Sequence, residues 1–111
     1  MIVHSTLGPG LLESVYEVCL RHELEKLSLS VQAQLPLPVH YDDIELDAGF
    51  RIDLLVENEI IIELKSVEKL LPIHQAQLLT YLKLAGKPVG LLINFNTVHL
   101  RDGIKRMVNQ L

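Results

Sequence analysis

The sequence predicts an α/β domain in which helices flank a mixed β-sheet. Three stretches carry that prediction. Residues 51–65 alternate like the two strands of a hairpin, residues 11–27 hold a helical apolar stripe, and the apolar run Val89–Phe95 follows a second helix. Alternation with period two marks a strand, and apolar residues at i, i+3 and i+4 mark a helix with one buried face. With 111 residues and 49% hydrophobic side chains, the chain is expected to fold as one domain over residues 1–111.

Taken in order, Gly8-Pro9-Gly10 breaks the chain and introduces the first helix, Leu11 to Leu27. Leu11, Leu12, Val15, Tyr16, Cys19, Leu20, Leu24 and Leu27 form its apolar stripe. Glu13 lies at the edge of the stripe in the first turn, where a carboxylate suits the helix dipole. After the turn Ser28-Leu29-Ser30, the residues Val31, Ala33, Leu35, Leu37 and Val39 alternate with others up to His40. Pro36 and Pro38 remove two amide donors from the same side, so this strand belongs at a sheet edge or carries a bulge. Asp42-Asp43 is a turn, Ile44 to Leu46 a brief strand, and Asp47-Ala48-Gly49 leads onward.

The segment Arg51–Lys65 is the chemical centre of the sequence. A loop at Glu57-Asn58-Glu59, centred on Asn58, places Val56 against Ile60, Leu54 against Ile62, Ile52 against Leu64 and Asp53 against Glu63. In that register one face is wholly apolar, and Asp53, Glu63 and Lys65 share the other; a slip of one residue would mix the two sets. Facing residues in an antiparallel pair have Cβ atoms roughly 4.5–5.5 Å apart, and like charges there destabilise the sheet. A divalent cation between the two carboxylates removes the repulsion. Mg²⁺ characteristically takes one or two carboxylates, with waters and phosphate oxygens completing its shell. Lys65 is then placed to orient a water and to stabilise charge on a phosphate. The plainer alternative is a Lys65 salt bridge to either acid on a solvated face.

Pro72 suits the first turn of a second helix that runs to about Ala85, with Gly86 as its cap. His74, Gln77 and Tyr81 form one stripe along it. Val89–Phe95 suits a strand covered on both faces, parallel to Ile60–Lys65 through a right-handed crossover. Asn96-Thr97 turns, a last short strand begins near Leu100, and Gly103 to Gln110 is expected as a short terminal helix.

Composition narrows the function classes. No apolar run approaches the ~20 residues that cross a bilayer, and the N-terminus lacks the basic stretch and apolar core of a signal peptide. Cys19 is the only cysteine, so an internal disulfide is excluded and a cytoplasmic location is expected. One Cys and five scattered His supply no zinc-ligand cluster. The net charge of −4 is unevenly spread, with eight acidic and two basic residues in 1–50 against six and eight in 51–111. Arg51, Lys65, Lys69, Lys83 and Lys87 are available to a phosphate, though each alone also reads as solvated surface charge.

The order of elements and the residues within them resemble the PD-(D/E)XK nuclease superfamily, and within it the GxxExxY family. Gly10-Leu11-Leu12-Glu13-Ser14-Val15-Tyr16 matches the GxxExxY motif, Asp53 with Glu63-Leu64-Lys65 matches the D…(D/E)xK core, and Gln77-Leu78-Leu79-Thr80-Tyr81 matches the QxxxY motif of the RecB-like branch. The resemblance runs from Leu7 to Asn96. It implies a restriction-endonuclease-like core in the order α-β-β-β-α-β. It also implies that Asp53, Glu63 and the Leu64 carbonyl hold Mg²⁺ or Mn²⁺, with Glu13 reaching the metal directly or through water. Lys65 would position the attacking water, and Gln77 and Tyr81 would line the same cleft. The implied reaction is hydrolysis of nucleic-acid phosphodiesters, DNA before RNA. Two departures stand out: Ile52 replaces the proline of the superfamily pattern, and a longer helical lead-in than Met1–His4 is expected of relatives.

Two other functions are consistent with the residues. One is a nuclease-fold protein that binds nucleic acid or a recruiting protein partner without cutting, to which the acidic balance points. The other is a phosphate hydrolase acting on nucleotides, for which no Gly-rich phosphate loop is present. An edge strand on a small chain also makes a homo-oligomer plausible.

Overall fold

The computed structural model describes residues 1–110. A five-stranded sheet in the order β1-β4-β5-β6-β7 lies between helices. Its strands are β1 (Val31–Pro36), β4 (Arg51–Val56), β5 (Ile60–Lys65), β6 (Val89–Asn94) and β7 (Ile104–Val108), and β2 (Val39–Tyr41) and β3 (Ile44–Leu46) form a separate hairpin. The helices are α1 (Ile2–Leu7), α2 (Glu13–Lys26) and α3 (Pro72–Ala85), with a 3-10 turn at Leu100–Gly103.

The sheet is mixed, as the crossover required. β5 and β6 pair in parallel, Ile60 with Val89 through Lys65 with Asn94, while β1–β4, β4–β5 and β6–β7 are antiparallel. One face buries Tyr16 and Leu20 of α2 against Leu54, Val56, Ile62, Leu64 and Ile93. The other buries Leu78, Tyr81 and Leu82 of α3 against Ile52, Leu55, Ile61 and Leu92. Gly90 lets α3 approach β6: a Cβ there would stand 2.9 Å from a Leu78 methyl. Gly86 ends α3 with φ 67°, a left-handed cap whose N–H bonds back to Leu82 and Lys83.

Several expectations need correction. The segment expected as a terminal helix, Gly103 to Gln110, holds β7 instead. Without it the outer edge of β6 would leave its amides and carbonyls unpaired beside α3, and that tertiary demand outweighs a short segment's helical pattern. An additional helix, α1, precedes Gly8, with Val3 and His4 buried. The first predicted helix starts two residues later than expected, leaving Leu11 and Leu12 outside it and exposed, and Leu27 lies beyond its end. The strand expected to run to His40 leaves the main sheet after Pro36; Leu37 N–H reaches the Phe50 carbonyl at 2.9 Å, and the chain then turns into β2. Two prolines in three residues leave too few donors to continue the ladder.

The hairpin faces also differ from expectation. Val56 pairs with Ile60 and Leu54 with Ile62, as the alternation required. The far face is not a polar one, because Leu55 and Ile61 are buried beneath α3. Ile52 lies on that α3 side, opposite Leu54, so β4 changes sides at Asp53.

Candidate functional site

The regular β4–β5 ladder ends at Leu54 and Ile62. Beyond it the two acids take over the pairing. The Asp53 N–H donates to Glu63 Oε1 at 3.2 Å, and the Leu64 N–H donates to Asp53 Oδ2 at 2.9 Å. Each carboxylate thus holds a backbone amide of the opposite strand, which fixes both side chains at the point where the strands part. No ladder pair forms between Asp53 and Glu63; side-chain carboxylates replace backbone carbonyls as acceptors there. The expected shared face of Asp53, Glu63 and Lys65 is not kept, because Asp53 turns into the α2-side cavity with Glu13 and Leu64, which Glu63 and Lys65 do not line.

Glu63 is only 7% exposed. Burial, and then the neighbouring charge of Asp53, push its carboxyl up to about 9, and the Lys65 ammonium offsets this only in part. Without a cation, Glu63 therefore carries a proton at neutral pH and Asp53 is placed to accept it. Lys65 follows on the same strand and is half-buried. It takes part in none of the ion pairs formed among the described residues, which are Arg21–Glu25, Lys26–Glu23 and His40–Glu45. The salt bridge that would have given Lys65 a purely structural role is not made.

Glu13 arrives from the start of α2. The loop before it is tied down by the Tyr16 hydroxyl, which donates to the Gly8 carbonyl at 2.6 Å and accepts the Leu11 N–H at 3.0 Å. Tyr16 itself is fully buried and stacks on Phe95 with ring centroids 4.3 Å apart. Gly8 and Gly10 take φ of 73° and 94°, which a side chain would disfavour. Glu13 Oε1 accepts the Ser66 N–H at 3.2 Å, and Ser66 Oγ donates to the Leu11 carbonyl at 2.7 Å. The start of α2 is thereby fastened to the residue after Lys65. Glu13, Ser14, Glu17, Gln34, Asp53 and Leu64 together line an open cavity of about 400 Å³.

α3 contributes Tyr81 from the opposite side. Its hydroxyl accepts Gln77 Nε2 at 3.3 Å. Burial raises the Tyr81 pKa, and the charges of Glu63 and Asp53 raise it further. His74 stays on the exposed first turn, where Nδ1 accepts the Leu71 N–H at 3.0 Å.

Three residues escaped the sequence reading. Glu17, one turn after Glu13, lines the acidic cavity, and its pKa is raised by burial and by Asp53. Its place one turn beyond Glu13 was the available signal. Gln34 donates from Nε2 to Glu17 at 2.5 Å and to Asp53 at 3.4 Å. Asn94, 2% exposed, bonds the Val67 N–H through Oδ1 and the Val67 carbonyl through Nδ2, pinning the chain two residues past Lys65.

The donor set fits a hard divalent cation: paired carboxylates of Asp53 and Glu63, with Glu13 lining the same cavity as Asp53. As the side chains stand, no group of three or more His, Cys, Asp or Glu among the described residues forms a ready metal cluster. Glu63 and Glu13 are instead turned toward backbone amides. No helix among the described residues is long and apolar enough to cross a membrane.

A family model described as the PD-(D/E)XK nuclease superfamily matches residues 1–107. No curated protein and no solved structure matches the chain.

Proposed function

The chain belongs to the PD-(D/E)XK nuclease superfamily, and from that premise we propose a metal-dependent nuclease that hydrolyses DNA in preference to RNA. Nucleases of this superfamily generally use divalent metals. The observation that carries the proposal is the Asp53–Glu63 pair, two acids that each accept a backbone amide of the opposite strand where β4 and β5 part, with Lys65 following on β5 and in no salt bridge among the described residues.

Asp53, Glu63, the Leu64 carbonyl and Glu13 are the groups that would hold Mg²⁺ or Mn²⁺. When bound, such an ion supplies Lewis-acid polarisation of a phosphate and a more acidic water. The remaining roles belong to the chain itself. Lys65 holds a water for attack and places positive charge near the phosphate. Tyr81, braced by Gln77, walls the α3 side of the site and limits water there. Tyr16 holds the loop from which Glu13 projects. The Gly10–Glu13–Tyr16 unit and the Gln77–Tyr81 hydrogen bond support assignment to the GxxExxY family and the RecB-like branch. A cytoplasmic location belongs to the same proposal.

The test is Mn²⁺- or Mg²⁺-dependent cleavage of single- and double-stranded DNA by the wild type, Asp53→Ala and Lys65→Ala. Loss in both variants is expected. Cleavage that survives both would mean that another site, or another protein, does the cutting.

One observation favours a second reading, a nuclease-fold protein that binds nucleic acid or a protein partner without cutting. The acids are satisfied by backbone amides and do not converge as a three-residue cluster. Calorimetric titration separates the two: absence of Mn²⁺ binding at millimolar concentration favours the inert protein.

A further inference from the structure

Strand β1 carries a distortion at its fourth residue. Gln34 has φ 52° in the middle of a strand. Val31, Gln32 and Ala33 pair with Val56, Leu55 and Leu54, and Leu35 and Pro36 pair with Ile52 and Arg51. The register is the same on both sides, so no residue has been inserted and this is not a bulge. The omitted pair is Gln34 with Asp53.

Both strands change sides at that pair. Ala33 and Leu54 pack on the α2 side, whereas Leu35 and Ile52 pack on the α3 side. Regular strands would keep Ala33 with Leu35, and Leu54 with Ile52, on one face. The local twist turns Gln34 and Asp53 together into the cavity beside α2. There Gln34 Nε2 reaches Glu17 Oε1 at 2.5 Å and Asp53 Oδ1 at 3.4 Å. A side chain other than glycine at positive φ in a strand interior is costly, and such strain persists where the surrounding structure holds it, often beside a functional site.

We propose that Gln34 is a positioning residue: its amide spans Glu17 of α2 and Asp53 of β4 and fixes the orientation in which Asp53 meets a divalent cation. Oδ2 of Asp53 accepts the Leu64 N–H at 2.9 Å and Oδ1 meets the exposed Gln34 amide at 3.4 Å, so donors approach both oxygens of the carboxylate. Without Gln34 the carboxylate rotates about its bond to Cβ, and Glu17 loses its only side-chain donor among the described residues. The proposal rests on the nuclease reading for the identity of the bound ion, but not for the amide contacts.

The test compares Gln34→Gly with Gln34→Ala in the full chain. Both remove the amide, but only glycine adopts φ near 52° without strain. The glycine variant is expected to melt several degrees above the alanine variant, the reverse of the usual order in strands. Mn²⁺ affinity, by calorimetry, is expected to fall roughly threefold to tenfold in both to a similar extent, the loss of one hydrogen bond. Affinity unchanged in both variants, or affinity that tracks melting temperature, would reduce Gln34 to a structural brace and overturn the assignment. A third measurement separates this from the nuclease reading. In metal-free protein, the Gln34 side-chain amide resonance is expected to move on Asp53→Asn. If the wild type binds no Mn²⁺ and the resonance moves, the nuclease reading fails and the Gln34 contact stands. A resonance that does not move refutes the contact itself.

Discussion

Glu63 should make the metal-free protein less stable as pH rises through neutrality. In the unfolded chain its carboxyl releases its proton near the ordinary value of 4.5; in the folded chain, burial and Asp53 hold the proton to about 9. Between those values the folded state binds more protons than the unfolded state. Unfolding free energy therefore falls with increasing pH across the window, by at most one proton's worth, about 1.4 kcal/mol per pH unit. For a domain of this size that is roughly 5 °C of melting temperature per unit. Below 4.5 the stabilisation is complete, and above 9 the slope disappears. Other groups titrate in the same range, so the quantity to read is the difference between wild type and Glu63→Gln, which keeps the side-chain volume and has no proton to lose. Thermal melts at pH 6, 7 and 8 in chelator should give a wild type whose melting temperature falls about 10 °C further than the variant's over those two units. Saturating Mn²⁺ should flatten the wild-type slope, because a bound cation displaces the proton. Parallel slopes for wild type and Glu63→Gln in chelator would refute the claim that this acid is held protonated by its surroundings.

Three further outcomes follow from the same geometry. Because binding must expel the Glu63 proton, Mn²⁺ affinity should rise roughly tenfold per pH unit between 6 and 8, with proton release visible by calorimetry in two buffers of different ionisation enthalpy. Tyr16→Phe keeps the stack on Phe95 but strands the Gly8 carbonyl and the Leu11 N–H; it should cost about 1–3 kcal/mol in chemical denaturation and raise amide exchange over Gly8–Glu13. Gly90→Ala should cost about 1–3 kcal/mol with little change in Mn²⁺ affinity, because the new methyl group meets Leu78 on α3, away from the acids.

What the sequence disclosed follows from what periodicity can carry. The β4–β5 register, the parallel β5–β6 pair and the span of α3 were all legible, because each rests on many apolar positions that burial forces to one side. That register, carried one step further, set Asp53 against Glu63, but the ladder stops at Leu54–Ile62 and Asp53 turns into the cavity beside α2. The terminal strand was not legible, because Ile104–Val108 is largely exposed and is a strand only through its pairing with β6. A pairing partner 19 residues away, as for Val89 with Val108, leaves no local period. Helix α1 was missed for a related reason: six residues are too few for a repeating stripe, and its docking relies on Val3 and on His4 bonding the Thr97 carbonyl at 2.7 Å.

The change of sides at Gln34 and Asp53 was hidden for a deeper reason. Alternation assumes that every residue of a strand stays in the β region, so one left-handed residue inverts every assignment beyond it. Ile52 remains buried and Leu35 half-buried after the inversion, because helices cover both faces of this sheet. A sheet with one wet face would have exposed them and betrayed the twist. Here the second helix layer hides it, and the only trace in the chain is a polar glutamine facing an aspartate across an edge strand. That same covering is what makes the site possible. It lets β1 and β4 turn two polar side chains toward α2 while the neighbouring Leu35 and Ile52 still pack beneath α3, so the turn of Asp53 toward the cavity leaves both apolar residues in the core cluster.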